Sequence, residues 1–74
     1  MSVDTHELRE LLLQSDQEFR EIALKHHELD DRLHQLSTRP FLSESEQLEE
    51  IQLKKQKLHL KDQMEGMLRR HRSA

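Results

Sequence analysis

Residues 53–62 read LKKQKLHLKD. The stretch holds no Gly, Pro or β-branched residue, and Leu and Lys are good helix formers. It sits in a run with no Pro and a single Gly that extends from Ser43 to Arg72. Upstream lies STRPFLSES (37–45), which carries the chain's one Pro. Pro40 cannot continue a helix and biases Arg39 away from helical dihedrals. A second helical run precedes that break. Two helices with matching apolar seams and one short connection predict an all-α antiparallel helical hairpin, a two-helix coiled coil. Helix one is expected over about 4–37, the loop over 38–42 and helix two over about 43–72, all within one domain spanning residues 1–74.

The first helix carries Leu8, Leu12, Ser15, Phe19, Ile22, His26, Leu29, Leu33 and Leu36 at alternating spacings of 4 and 3, an uninterrupted seam in which Ser15 and His26 are the polar members. Asp4 with Glu7, Ser15 with Glu18 and Ser43 with Glu46 each fit a capping box. The middle box leaves two readings. Either one helix runs through Ser15, or a short N-terminal helix ends near Gln14 and another begins at Ser15. The seam does not change phase there, which favours continuity or a slight kink. Phe41 and Leu42 precede the last cap and are placed to staple onto Gln47 or Leu48.

On the second helix Leu48, Ile51, Lys55, Leu58 and Asp62 have seam spacing. Folding back at Pro40 sets Leu33 against Leu48, Leu29 against Ile51, His26 against Lys55 and Ile22 against Leu58. Apolar then meets apolar, and His26 with Lys55, flanked by Asp30 and Asp62, forms a polar layer that sets register. Charge follows the same pairing. Asp16, Glu18 and Glu21 face the zone of Lys54, Lys57 and Lys61, and Arg32 lies near Glu49 and Glu50. Such agreement across levels supports the hairpin.

The second helix has another stripe, Leu53, Leu60, Met64, Met67 and Leu68, roughly opposite the first at about 100° per residue. A hairpin cannot cover both faces. This second stripe is therefore assigned to self-association into a helical bundle or to a protein partner.

With 74 residues, the chain supports one small core. It has no Cys, which excludes disulfides and thiolate metal sites. No stretch matches a signal peptide or the ~18 consecutive apolar residues of a membrane span, so a soluble cytoplasmic protein is expected. The net charge of −3 is too small to imply a polyanionic or polycationic partner.

KHHELDDRL (25–33) followed by LKKQKLHLKDQM (53–64) resembles the YdcH-like family of short bacterial proteins, also known as domain of unknown function 465. The matching positions are Phe19, His27 or His26, Leu29 and Asp30, and then Leu53, Lys54, Lys55, Lys57, Leu58, Leu60, Lys61 and Asp62. The second motif is the specific one. The resemblance covers about Leu12 to Leu68 and departs from the usual pattern in the Pro-containing loop, which disturbs neither motif. It implies a small helical fold with no assigned activity.

Residues with chemical potential have plainer readings. His27, Asp31 and His34 share a helix face, but zinc wants three or four tetrahedral ligands, so a solvated ion-pair face is expected and no metal or other cofactor. His26, Lys55, Asp30 and Asp62 resemble a catalytic set, yet two helices offer no deep cleft for a small-molecule substrate. Lys54, Lys57, Lys61, Arg69, Arg70 and Arg72 form a basic half-helix without aromatics to stack bases. They are read as partners of the acidic first helix, and a weak nucleic-acid or ribosome-associated role is the alternative. The expected function is that of a non-enzymatic helical interaction protein, self-associating or adaptor-like.

Overall fold

A computed structural model describes residues 5–73 as three helices: α1 (Thr5–Ser15), α2 (Gln17–Ser37) and α3 (Glu44–Ser73). There is no strand among the described residues. The molecule measures 49 × 22 × 16 Å. Its length is that of α3, since 30 helical residues span about 45 Å.

The α2–α3 pair runs antiparallel. Arg32 bonds Glu49, Asp30 bonds Lys57 and Asp16 faces His71, so positions descend on one helix as they rise on the other. The connection is closed by local bonds. At the end of α2 the Thr38 amide donates to His34 O (3.2 Å) and the Arg39 amide to Leu36 O (3.2 Å). The hydroxyls of Ser37 and Thr38 bond His34 O and Gln35 O at 2.7 and 2.8 Å. These bonds satisfy carbonyls that the last helical turn leaves open.

A reciprocal capping box starts α3. The Glu46 amide donates to Ser43 Oγ at 3.2 Å, and the Ser43 amide donates to Glu46 Oε1 at 3.0 Å. Arg39 bonds Glu46 from across the loop. Leu42 is half-buried and its carbonyl accepts from Gln47 Nε2 at 3.2 Å, but Phe41 is exposed and staples nothing.

Of the two readings open at Ser15, the structure takes the short N-terminal helix, which ends at Ser15, and a second helix from Gln17, in place of the favoured continuity. Asp16 takes extended dihedrals (φ −119°, ψ 110°), and its side chain caps α2 by accepting from the Phe19 amide at 3.1 Å. The cap is thus one residue later than the Ser15–Glu18 box. Ser15 Oγ instead donates back to Leu11 O at 2.7 Å, and Arg20 Nη1 donates to Leu13 O at 3.4 Å. A single extended residue makes the bend without a positive φ. Asp4, the first residue of the Asp4–Glu7 box, lies outside the described residues.

The bend lets α1 lean over the open end of the hairpin. Leu8 and Leu12 from α1, Phe19 from α2, and Met64, Met67 and Leu68 from α3 form one buried cluster, with Leu13, Ile22 and Ala23 packed against it. Phe19 and Leu36 are completely buried, Leu36 at the loop end of α2. The phase of the seam survives the bend because Leu8, Leu12 and Phe19 all point into the same cluster.

Candidate interaction surface

The two stripes of α3 exchange roles relative to the expectation. Leu53 and Leu60 are half-buried, and Met64, Met67 and Leu68 are at most 5% exposed. These five residues, assigned above to an oligomer or partner surface, line the inside of the protomer. Leu48, Ile51 and Leu58, assigned to the seam, are 62%, 51% and 59% exposed. The cause is the distal core. Leu8, Leu12 and Phe19 need apolar partners at the far end of α3, where the Leu48–Leu58 stripe has run into Asp62. The opposite stripe offers Met64, Met67 and Leu68 there. Burying those three large side chains, each worth about 1.5–3 kcal/mol, fixes the rotation of α3.

On α1 and α2 the seam has the expected phase. Leu12 of α1 and Phe19 and Leu36 of α2 are buried, and Ile22, His26, Leu29 and Leu33 are half-buried. The partners differ. Leu29 lines a groove with Lys55, Gln56, His59 and Leu60, and Ile51 is not part of it.

The polar layer is rebuilt by the same rotation. Lys55 and Asp62 are exposed. Lys57, half-buried on the inner face, bonds Asp30. His26 is pushed below the usual histidine range, first by burial and next by the charge of Lys57, with Asp30 opposing. The Lys57 hydrogen bond holds the Asp30 carboxyl below its ordinary range. The layer therefore consists of His26, Asp30 and Lys57, two residues along α3 from the expected lysine.

The Arg32 pairing is as expected: its Nε and Nη2 donate to Glu49 Oε2 and Oε1, each at 2.9 Å. Glu49 is held below the ordinary glutamate range by that bond, and Glu46 by its Ser43 bonds. The expected facing of Asp16, Glu18 and Glu21 with the lysines is replaced. Lys54 lies 3.6 Å from Glu50 on its own helix, and Asp16 lies 3.8 Å from His71. Lys54 and Lys57 of the basic half-helix are thus matched to carboxylates within the chain, Lys61 lines an open groove beside them, and Arg69, Arg70 and Arg72 occupy the last turns of α3. His27 pairs with Asp31 at 3.4 Å on the exposed face of α2. Among the described residues no three His, Cys, Asp or Glu side chains come together as a metal site, and no helix is long and apolar enough to cross a membrane.

Besides Leu11 on α1 and Leu24 on α2, the large apolar groups left exposed include a row on α3, Leu48, Ile51 and Leu58, of which Leu58 also borders a groove with Leu33 and His34 of α2. Phe41, 88% exposed, lies in the connection just before α3. Residue periodicity identifies this row, and its expected place in the seam is corrected to the exposed side of α3.

The fold defines a small all-helical protein, an antiparallel hairpin whose open end is closed by a short third helix. The model of a family described as a protein of unknown function, DUF465, matches residues 19–68, from the buried Phe19 to the buried Leu68. The chain belongs to that family. Curated proteins and solved structures give no match.

Proposed function

We propose that this chain is a helical interaction protein, self-associating or adaptor-like, that works through the outward face of α3 and performs no chemistry of its own. The observation that carries the reading is the row Leu48, Ile51 and Leu58, each more than half exposed on a helix whose other face is already packed. Large apolar side chains interspersed and bordered by charged groups, here with Lys55 between Ile51 and Leu58, make a pattern found at protein contact surfaces. The grooves beside the α2–α3 seam are shallow and lined mainly by Lys, Asp, Glu and His side chains, which suits solvent better than an enclosed substrate.

The test is site-specific photo-crosslinking in cells. A benzophenone amino acid at position 58 should give a discrete protein adduct, and the same probe at position 28, on the exposed side of α2, should not. Absence of an adduct at position 58 together with a wild-type protein that sediments as a monomer at high micromolar concentration would overturn the proposal.

A further inference from the structure

Resting on the interaction reading, we infer that the occupant of the α3 outer face is a second copy of this chain, docked antiparallel about a twofold axis that passes α3 midway between Glu49 and Glu50. The argument starts from self-complementarity. A twofold contact presents the same patch from both sides, so the patch must match itself when reversed. On the exposed face of α3 the order is Glu44, Leu48, Ile51, Lys55, Leu58. Reversal about the stated axis brings Leu48 against Ile51 of the second copy, and Glu44 against its Lys55, each contact occurring twice.

Charge selects this register. Sliding the copy by one heptad sets Leu48 against Leu58 but also sets Ile51 against a lysine and Glu44 against Asp62, twice over. Like charges placed opposite each other cost affinity and suppress a register. Glu44 and Lys55 are both exposed, and neither takes part in the ion pairs that join α2 to α3. Their charges are available to a partner without dismantling the hairpin.

Area points the same way. Leu48, Ile51, Leu58 and Phe41 together expose on the order of 500 Å² of mostly apolar surface, within the ~300–600 Å² of the largest apolar patch on a typical monomer, which is often functional. A standard interface buries about 800 Å² per partner, so the flanking polar side chains have to supply the remainder. In the dimer α3 lies between α2 of its own chain and α3 of the other, which covers the half of the hairpin that α1 does not reach. Leu24, which lies opposite the α2 seam, and Leu11 on α1 are the remaining large exposed apolar residues and stay outside this contact.

The experiment is sedimentation equilibrium of the full chain and three variants, with circular dichroism at low concentration to follow protomer folding. Wild type should be dimeric. Ile51→Glu should weaken association at least a hundredfold, and because Ile51 is outward-facing the helical signal should persist. Lys55→Glu should weaken it at least tenfold, since Glu44 then faces a glutamate twice. Glu44→Lys combined with Lys55→Glu should restore it to near wild type. An Ile51→Glu protein that remains a dimer overturns this surface while leaving self-association intact. A charge swap that fails to restore what Lys55→Glu loses overturns the antiparallel register. A monomeric wild type whose position-58 probe captures a different protein overturns the second-copy occupant and leaves the interaction reading standing.

Discussion

Arg32 on α2 grips Glu49 on α3 through two parallel hydrogen bonds of 2.9 Å, next to the loop that joins the helices. This fork-to-fork pair fixes direction as well as distance, which a lysine could not do. Both side chains are more than a third exposed, so the pair contributes to orientation more than to stability. Arg32→Lys should therefore lower the melting temperature only slightly, and the loss should shrink further as salt is added. Acid should act on the same end of the molecule. The carboxyls of Glu49, Glu46 and Asp30 all titrate lower in the fold than as free groups. Their contribution is complete above the ordinary carboxyl range and is lost as pH falls through their folded values. Thermal melts stepped downward in pH through that range should fall for wild type, and Glu49→Gln should remove part of the fall.

The rotation of α3 gives the sharpest contrast between variants. Met64 is 2% exposed and Leu58 is 59% exposed. Met64→Ala should cost about 2–5 kcal/mol, and Phe19→Ala about 3–5 kcal/mol, enough to unfold a protein with so small a core. Leu58→Ser should leave the protomer's stability within about 0.5 kcal/mol, measured at concentrations below any self-association. Equal sensitivity at positions 58 and 64 in urea titrations would contradict the assignment of inner and outer faces.

The hairpin, its loop, the Ser43–Glu46 box and the Arg32–Glu49 pair were legible in the sequence because each is local or hangs on one fold point at Pro40. The rotation of α3 was not, because α3 carries apolar rows on two opposite sides and either one pairs plausibly with α2. The two rows differ at the helix end. Opposite Leu8 and Leu12, the row through Leu48 and Leu58 offers Asp62 and then charged residues, whereas the other offers Met64, Met67 and Leu68. The His26–Lys55 layer does not decide between them, because either face offers a polar layer, with Lys55 outside and Lys57 inside. The bend at Asp16 was hidden because it turns the helix axis while keeping the same side chains inward.

Asp16 ends one helix and begins the next, so its loss should be felt at both. Replacing an N-cap Asp by Ala costs about 0.5–2 kcal/mol. Asp16→Ala should lie in that range, with Asp16→Ser close to wild type because a hydroxyl also accepts from the Phe19 amide. Amide hydrogen exchange should quicken first in α1 and in the opening turn of α2, whose cap is gone, and least in the loop-end turns of α3.

Gly66 is a helical residue with no special dihedral, and a Cβ built there meets nothing closer than Arg69 Nη2 at 3.9 Å. Gly66→Ala should raise stability by about 0.5–1 kcal/mol, by restricting the unfolded chain and improving helix propensity. A melting temperature unchanged or lowered would mean that close packing in the distal core, next to Met67, requires the missing side chain.

His26 sets the last expectation, which concerns mild acid. It is half-buried in the seam, with Lys57 and Lys61 on α3 and Arg9 on α1 acting against its protonation and Asp30 on α2 favouring it. Burial and the cations prevail, and its pKa lies below the usual histidine value. The unfolded chain then takes up a proton first as pH drops, so stability decreases with falling pH from about 7 towards about 5. His26→Leu removes the titrating group from the seam and puts an apolar side chain beside Leu29. The variant should match or exceed wild type in thermal stability near neutral pH and should show a flatter profile over that window. Lys57→Met should raise the histidine pKa, read directly by the imidazole proton shift in NMR, because the strongest opposing charge is gone. A His26 that titrates at the ordinary value in wild type, or a pH profile left unchanged by His26→Leu, would remove this histidine from the account of acid sensitivity.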